Sequence, residues 1–269
     1  AAIVKGFHSL HKKQQKKKQD EQALEAQQAA AQQAQQAAAQ QAAAQQAAAQ
    51  QAAQQAAQQA ALQQSAEQAL IDAAWGGHED IVRRLLSVPG INVNARNNYG
   101  NTALMVAAGR GHENIVRTLL DAPGINVNAR DREGDTALIR AAERGYEDIL
   151  RMLLDAGADV NDKIGGDWTV LMVAAEGGHE DILRVLLAAP DIDVNVRNRY
   201  GRTALMGAVY KGNENIVRML LDAPGIDVNL QDEDYKTALD IARSGNKPVI
   251  IELLEGAVGR FTKGAGRLG

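Results

Sequence analysis

Three histidines share one local setting: His78, His112 and His179 each follow a Gly and precede a Glu. Such pairs can ligate a metal. These recur a repeat or more apart along a stack, ~10 Å by helix spacing, too far to share an ion. Tyr146 and Asn213 fill the same slot, so the expected role is local hydrogen bonding at a helix start. Arg83, Arg117, Arg151, Arg184 and Arg218 form a second series, of a type that grips phosphate. Glu79, Glu113, Glu147, Glu180 and Glu214 stand four residues before them. That is the favourable i, i+4 orientation, so a paired, solvated face is expected. Gly264 to Gly269 spells G-x-G-x-x-G, but no helix follows to receive a phosphate at its N-terminus. No Ser/His/Asp arrangement recurs and no carboxylate pair stands apart. The sequence therefore predicts no enzyme, no cofactor and no metal.

Composition narrows the classes further. There is no cysteine, which removes disulfide scaffolds, iron–sulfur clusters and thiol nucleophiles. The net charge of −4 divides into +3 over residues 1–64 and −7 over the rest. An acidic body does not suit nucleic acid, whose phosphates need clustered Lys and Arg. No stretch approaches the ~18 apolar residues of a membrane span. The leader, residues 1–19, carries Lys12, Lys13, Lys16, Lys17 and Lys18. It is expected to be a frayed, solubilising end, with contact to anionic lipid or an acidic partner as the alternative. The chain starts at Ala1-Ala2, the small-residue end that removal of a signal peptide leaves. An intracellular protein is expected, with an exported or periplasmic one as the alternative.

What would position a site? From Ala26 to Gln64 every residue except Leu62 is Ala or Gln. Both are good helix formers, and more than 40 residues make nucleation affordable. Residues 20–64 are therefore expected to be a helical spacer. Alanine clusters recur every ~4.4 residues, neither 3.5 nor 3.67, so no coiled-coil seam forms. Beyond it the chain repeats. Ala69, Ala103, Ala137, Val170, Ala204 and Ala238 mark equivalent positions, spaced 34, 34, 33, 34 and 34. Each unit has a short apolar helix, a Gly break, a second helix with two Leu, and a polar turn. Thr102, Thr136, Thr169, Thr203 and Thr237 stand as N-caps. Small pairs such as Ala107-Ala108 let units stack, and stacking is what buries Ile115, Val116, Leu119 and Leu120. The first unit has Gln68 in place of the Thr, so the helix is expected to run on without a break to Gly76-Gly77.

These residues resemble the ankyrin repeat family over about 65–256. Gly157-Ala158-Asp159-Val160-Asn161 matches the family's closing element, and Thr-Ala-Leu-Met stands where the family has Thr-Pro-Leu-His. The resemblance implies an all-α repeat solenoid, of helix-turn-helix units with short β-hairpin loops, fused here to a long N-terminal single α-helix. The units expected are 65–100, 101–134, 135–166, 167–201, 202–235 and 236–256. A flexible Gly-rich tail, 257–269, would follow.

The resemblance also implies a binding surface, since hairpin tips and the exposed side of each first helix line the concave face where partners bind. The candidates there are Trp75, Tyr99, Arg110, Arg132, Arg144, Trp168, Arg199, Tyr200, Tyr210 and Lys211. They change from unit to unit while the framework does not, and aromatic and Arg residues are the usual anchors of binding energy. Trp168 follows Ile164-Gly165-Gly166-Asp167, where the regular hairpin tip is expected to be lost. It is either a packing plug or the most distinctive contact. The expected function is non-enzymatic binding of a protein partner. The alternative is a structural subunit that self-assembles through helix and solenoid ends.

Overall fold

The computed structural model describes the backbone of residues 2–265 and the side chains of Lys13 and residues 16–259. The chain divides into two compact units, Ala1–Leu62 and Gln63–Gly269. Helix α1, Ala2–Gly76, supplies all of the first unit and the start of the second. Between Phe7 and Trp75 there is no Gly or Pro to interrupt it. The basic leader is thus part of this helix rather than a separate frayed element. Lys13, Lys16, Lys17 and Lys18 are exposed, and the side chain of Lys12 lies outside the described residues. Every side chain from Lys16 to Leu62 is exposed, including Leu24 and Leu62. Within this unit, propensity and backbone hydrogen bonds alone hold the helix.

The second unit is a two-layer stack of helix pairs. Its first layer is the end of α1 with α3 (Ala103–Arg110), α5 (Ala137–Arg144), α7 (Val170–Gly177), α9 (Ala204–Lys211) and α11 (Ala238–Ser244). Its second layer is α2 (Glu79–Leu86), α4 (Glu113–Leu120), α6 (Glu147–Asp155), α8 (Glu180–Leu187), α10 (Glu214–Leu221) and α12 (Pro248–Ala265). From α3 to α11 each first-layer helix packs on the next and on its own second-layer partner, and Leu70, Ile71, Ala73 and Ala74 of α1 join the same core. Between the layers lies one core of Leu104, Leu119, Leu138, Leu150, Leu153, Leu171, Leu183, Leu205 and Leu220 with the paired alanines. The five threonines cap as expected. Thr136 Oγ1, for example, accepts from Ile139 N at 3.4 Å, and Thr203 Oγ1 from Met206 N at 3.3 Å. Helices α3, α5, α7 and α9 end in left-handed glycines, whereas α11 ends at Gly245 with φ −85°. At Gly111 (φ 77°) an added Cβ would lie 2.9 Å from the Tyr146 ring, so the next repeat excludes any side chain there.

Carboxamides tie neighbouring repeats. Asn94, Asn128 and Asn195 each donate Nδ2 to the carbonyl of Gly124, Gly157 and Gly225 (2.8, 3.1 and 2.8 Å). Each also accepts through Oδ1 from the backbone N–H of Asn126, Asp159 and Asp227. The first repeat has no such Asn before it, and α1 supplies the substitute. Gln63 Nε2 donates to Gly90 O at 2.6 Å, and Glu67 Oε1 accepts from Asn92 N at 3.3 Å. Gly90 and Asn92 are the equivalents, 34 residues earlier, of Gly124 and Asn126.

The regular tip is lost at 164–167, as expected, but a hairpin remains: β1 (Lys163–Ile164) pairs antiparallel with β2 (Trp168–Thr169), Ile164 opposite Trp168. Elsewhere the tip is closed by an Asx side chain; Asn97 and Asn198 each accept two backbone N–H bonds. Ile164 occupies that position here and cannot accept, so strand pairing with Gly166 and Asp167 at positive φ closes the turn instead. The expectation of a flexible tail from 257 needs correction, because α12 runs to Ala265 with Ala257 buried. Residues 266–269, and with them the last part of the G-x-G-x-x-G string, lie outside the described residues.

Candidate protein-binding face

The first-layer helix ends and hairpin tips bring the variable residues to the surface. Trp75 closes α1 and is 57% exposed; Tyr99 (75%) and Tyr200 (48%) sit on hairpin tips, and Tyr210 (63%) near the end of α9. A core fold has no need of four aromatics in water, so each is available for a contact. Arg132, Arg144, Arg199 and Lys211 are exposed as well. The tips are linked by backbone bonds from repeat to repeat: Arg132 N to Tyr99 O, Arg199 N to Gly166 O and Glu233 N to Tyr200 O, at 3.3, 3.0 and 3.0 Å. Trp168 differs. It is half-buried and packs against the core, which makes it the plug of its hairpin.

Two cavities open beside these residues. The first, about 450 Å³, is lined by Trp75, Asn101, Met105, Val106, Gly109, Arg110, Arg140, Glu143, Arg144 and Tyr146. Arg110 lies flat on Trp75, its Cζ 3.3 Å from the ring centroid, a cation–π stack. The second, about 500 Å³, lies between α9 and α11 and includes Glu176, Arg202, Met206, Tyr210, Asp232 and Lys236. Here Arg202 stands 5.9 Å from the Tyr210 ring, and Lys211 Nζ pairs with Glu176 at 3.8 Å. The two cavities thus repeat one device: an arginine beside an exposed aromatic.

A partly buried charge network backs the first cavity. Arg140 is ion-paired to Asp131, whose side chain is almost fully covered, and its Nη2 lies 3.9 Å from Asp135. Burial pushes the Asp131 carboxyl up, but Arg140 and the N–H groups of Asp135 and Glu133 outweigh it and hold it below 3.8. Asp135 goes the other way, raised by burial and by the charge of Asp131. Glu143 is likewise raised, by burial and then by Asp135.

The remaining series fall outside these cavities. Of the five Glu–Arg pairs, Arg83–Glu79 and Arg151–Glu147 close as ion pairs at 2.6 Å, while Glu180 accepts instead from Asn215 Nδ2 at 2.8 Å. The histidine slot does not make a local cap. His112 Nε2 lies 3.2 Å from Trp75 O, His179 Nε2 3.0 Å from Glu143 O, and Asn213 Nδ2 donates to Ala175 O at 2.9 Å. At these three positions the slot ties the second helix to the end of the preceding repeat's first helix. Arg140 and Tyr146 also wall the first cavity, although neither stands out in the sequence as part of a binding surface. The apolar neighbours of Arg140 on an inner helix were the available signal. Among the described residues no helix is long and apolar enough to cross a membrane.

Stacked helix pairs, Asx-closed hairpins and a variable aromatic surface define a repeat-type recognition protein. The family description "Ankyrin repeats (3 copies)" matches residues 2–129, 70–164 and 163–232. An ankyrin repeat domain from Acinetobacter baumannii AYE is 37% identical, with a TM-score of 0.65, covering 70% of this chain and 96% of that one. A chain in the structure of the Bd0816 predatory endopeptidase from Bdellovibrio bacteriovorus in complex with immunity protein Bd3460 is 29% identical. Its TM-score is 0.63, and the match covers 70% of this chain and 97% of that one. No curated protein matches. The chain belongs to the ankyrin repeat family. Ankyrin repeats are protein-interaction modules, and the fold is typically non-enzymatic.

Proposed function

We propose that residues 65–256 bind a protein partner through the concave face that the first-layer helices and hairpin tips form in ankyrin arrays, without catalysing a reaction. Residues 20–64 serve as its helical spacer. The observation that carries the reading is the exposure of Trp75, Tyr99, Tyr200 and Tyr210 at positions the framework leaves free. Arg110 and Arg202 stand beside two of them, and aromatic–Arg clusters are where interface energy concentrates. The likeness to a chain of an endopeptidase–immunity protein complex also fits a protein partner. Affinity capture from the source cell with the full chain, and with Trp75, Tyr99, Tyr200 and Tyr210 all changed to Ala, tests it. A partner retained by the first and lost by the second is expected, with circular dichroism unchanged. The same set captured by both baits would refute the assignment of the face.

A further inference from the structure

Among the described side chains, two buried polar atoms have no hydrogen-bond partner: Asn101 Oδ1 and Arg140 Nε. Both residues line the same cavity, the one beside Trp75 and Arg110. One is an acceptor and the other a donor, so their complement must both donate and accept. Charge selects against ions of either sign. A cation entering the cavity would meet the guanidinium groups of Arg110, Arg140 and Arg144. An anion would meet Glu143, with Asp131 and Asp135 held alongside by Arg140. The carboxyls of Asp135 and Glu143 are already raised by burial and by neighbouring negative charge, and a further anion opposes them. A carboxamide is neutral and carries both functions.

We propose that this cavity seats a glutamine carboxamide from the Ala/Gln segment of a second copy of the chain. That segment presents sixteen glutamines between Ala26 and Leu62, all exposed, in a stretch that itself holds no charged residue. Alanine spacing winds its glutamines around every face of the helix, so docking needs no single rotation about its axis. The array already reads carboxamides with paired donor and acceptor bonds, at Asn94, Asn128 and Asn195. It also takes one glutamine, Gln63, on Gly90 O. The contact joins different surfaces of two copies, so it is heterologous and propagates unless it closes into a ring. The inference goes beyond the proposed function. Capture of another protein can succeed or fail whether or not the chain associates with itself.

Sedimentation equilibrium of the full chain, over about 1 to 300 µM, tests it. The weight-average mass is expected to rise with concentration. Asn101→Ala, which removes the unpaired acceptor, moves the midpoint of association about tenfold higher, the worth of one buried hydrogen bond. A synthetic peptide of residues 26–62 dissociates the wild-type assembly, and the same peptide with glutamate for every glutamine does not. A monomer at all concentrations would mean that water meets both atoms, and overturns the proposal. Association unchanged in a folded Asn101→Ala variant also overturns it, as does equal competition by the two peptides. The peptide pair decides the matter if that variant does not fold.

Discussion

Alanine has opposite fates in the two units of this chain. Between Ala26 and Ala61 every alanine faces water, whereas Ala74, Ala107, Ala108, Ala141, Ala142, Ala174, Ala175 and Ala208 are fully buried. In the first unit alanine acts through propensity, since it loses no side-chain entropy on entering a helix. In the second it acts through smallness. These alanines lie on first-layer helices that pack against one another, where a small side chain lets neighbouring repeats come close. One residue type thus stabilises a helix in two ways, and only the second makes the helix depend on its neighbours.

A matched pair of leucines sharpens that contrast most. Leu119 is fully buried and Leu62 is 73% exposed. Leu119→Ala is expected to destabilise the array by about 2–5 kcal/mol in urea unfolding, and Leu62→Ala to change it by less than about 0.5 kcal/mol. Equal effects would break the comparison. Next in size, Ala43→Pro is expected to cost about 3 kcal/mol of local helix stability. It should lower the helical circular dichroism signal while leaving the urea midpoint of the array where it was.

Glu67 lies on the side of α1 that belongs to the array, so Glu67→Ala is expected to cost about 0.5–1.5 kcal/mol. Faster amide exchange at Asn92, whose N–H it accepts, would show that loss directly. The smallest effect concerns acid. The folded Asp131 carboxyl titrates below 3.8, so the folded chain binds fewer protons there than the unfolded one. The stability it adds is complete above 3.8 and is lost as pH falls through the folded value. Asp131→Asn is expected to flatten that acid limb. Asp135 and Glu143 work in reverse: their cost is absent below 3.8 and 4.5, grows as pH rises past those values and is complete above the raised folded ones.

How much of this was legible beforehand differs by range of interaction. The threonine caps, the left-handed glycines and the uncapped Gln68 are local, and each reads from a few neighbouring residues. The histidine slot was misread as a local cap because its partners, Trp75 and Glu143, are 37 and 36 residues away. Trp168 stayed ambiguous until Ile164 was found opposite it in a hairpin. The exposed aromatics were readable as departures from the repeat. Their cavity was not, since Trp75, Asn101 and Arg140 come from three successive repeats.

The sequence by itself determined the period, the threonine-capped helix starts and the uninterrupted first helix, because propensity, capping and apolar spacing act within a turn or two of chain. Tertiary structure alone decided the rest. It made Gln63 and Glu67 stand in for a missing repeat's asparagine. It also stacked Arg110 on Trp75, and left Asn101 Oδ1 and Arg140 Nε unpaired beside one cavity. Those outcomes hang on which polar atoms the stacking of repeats brings within about 3 Å of one another, or fails to.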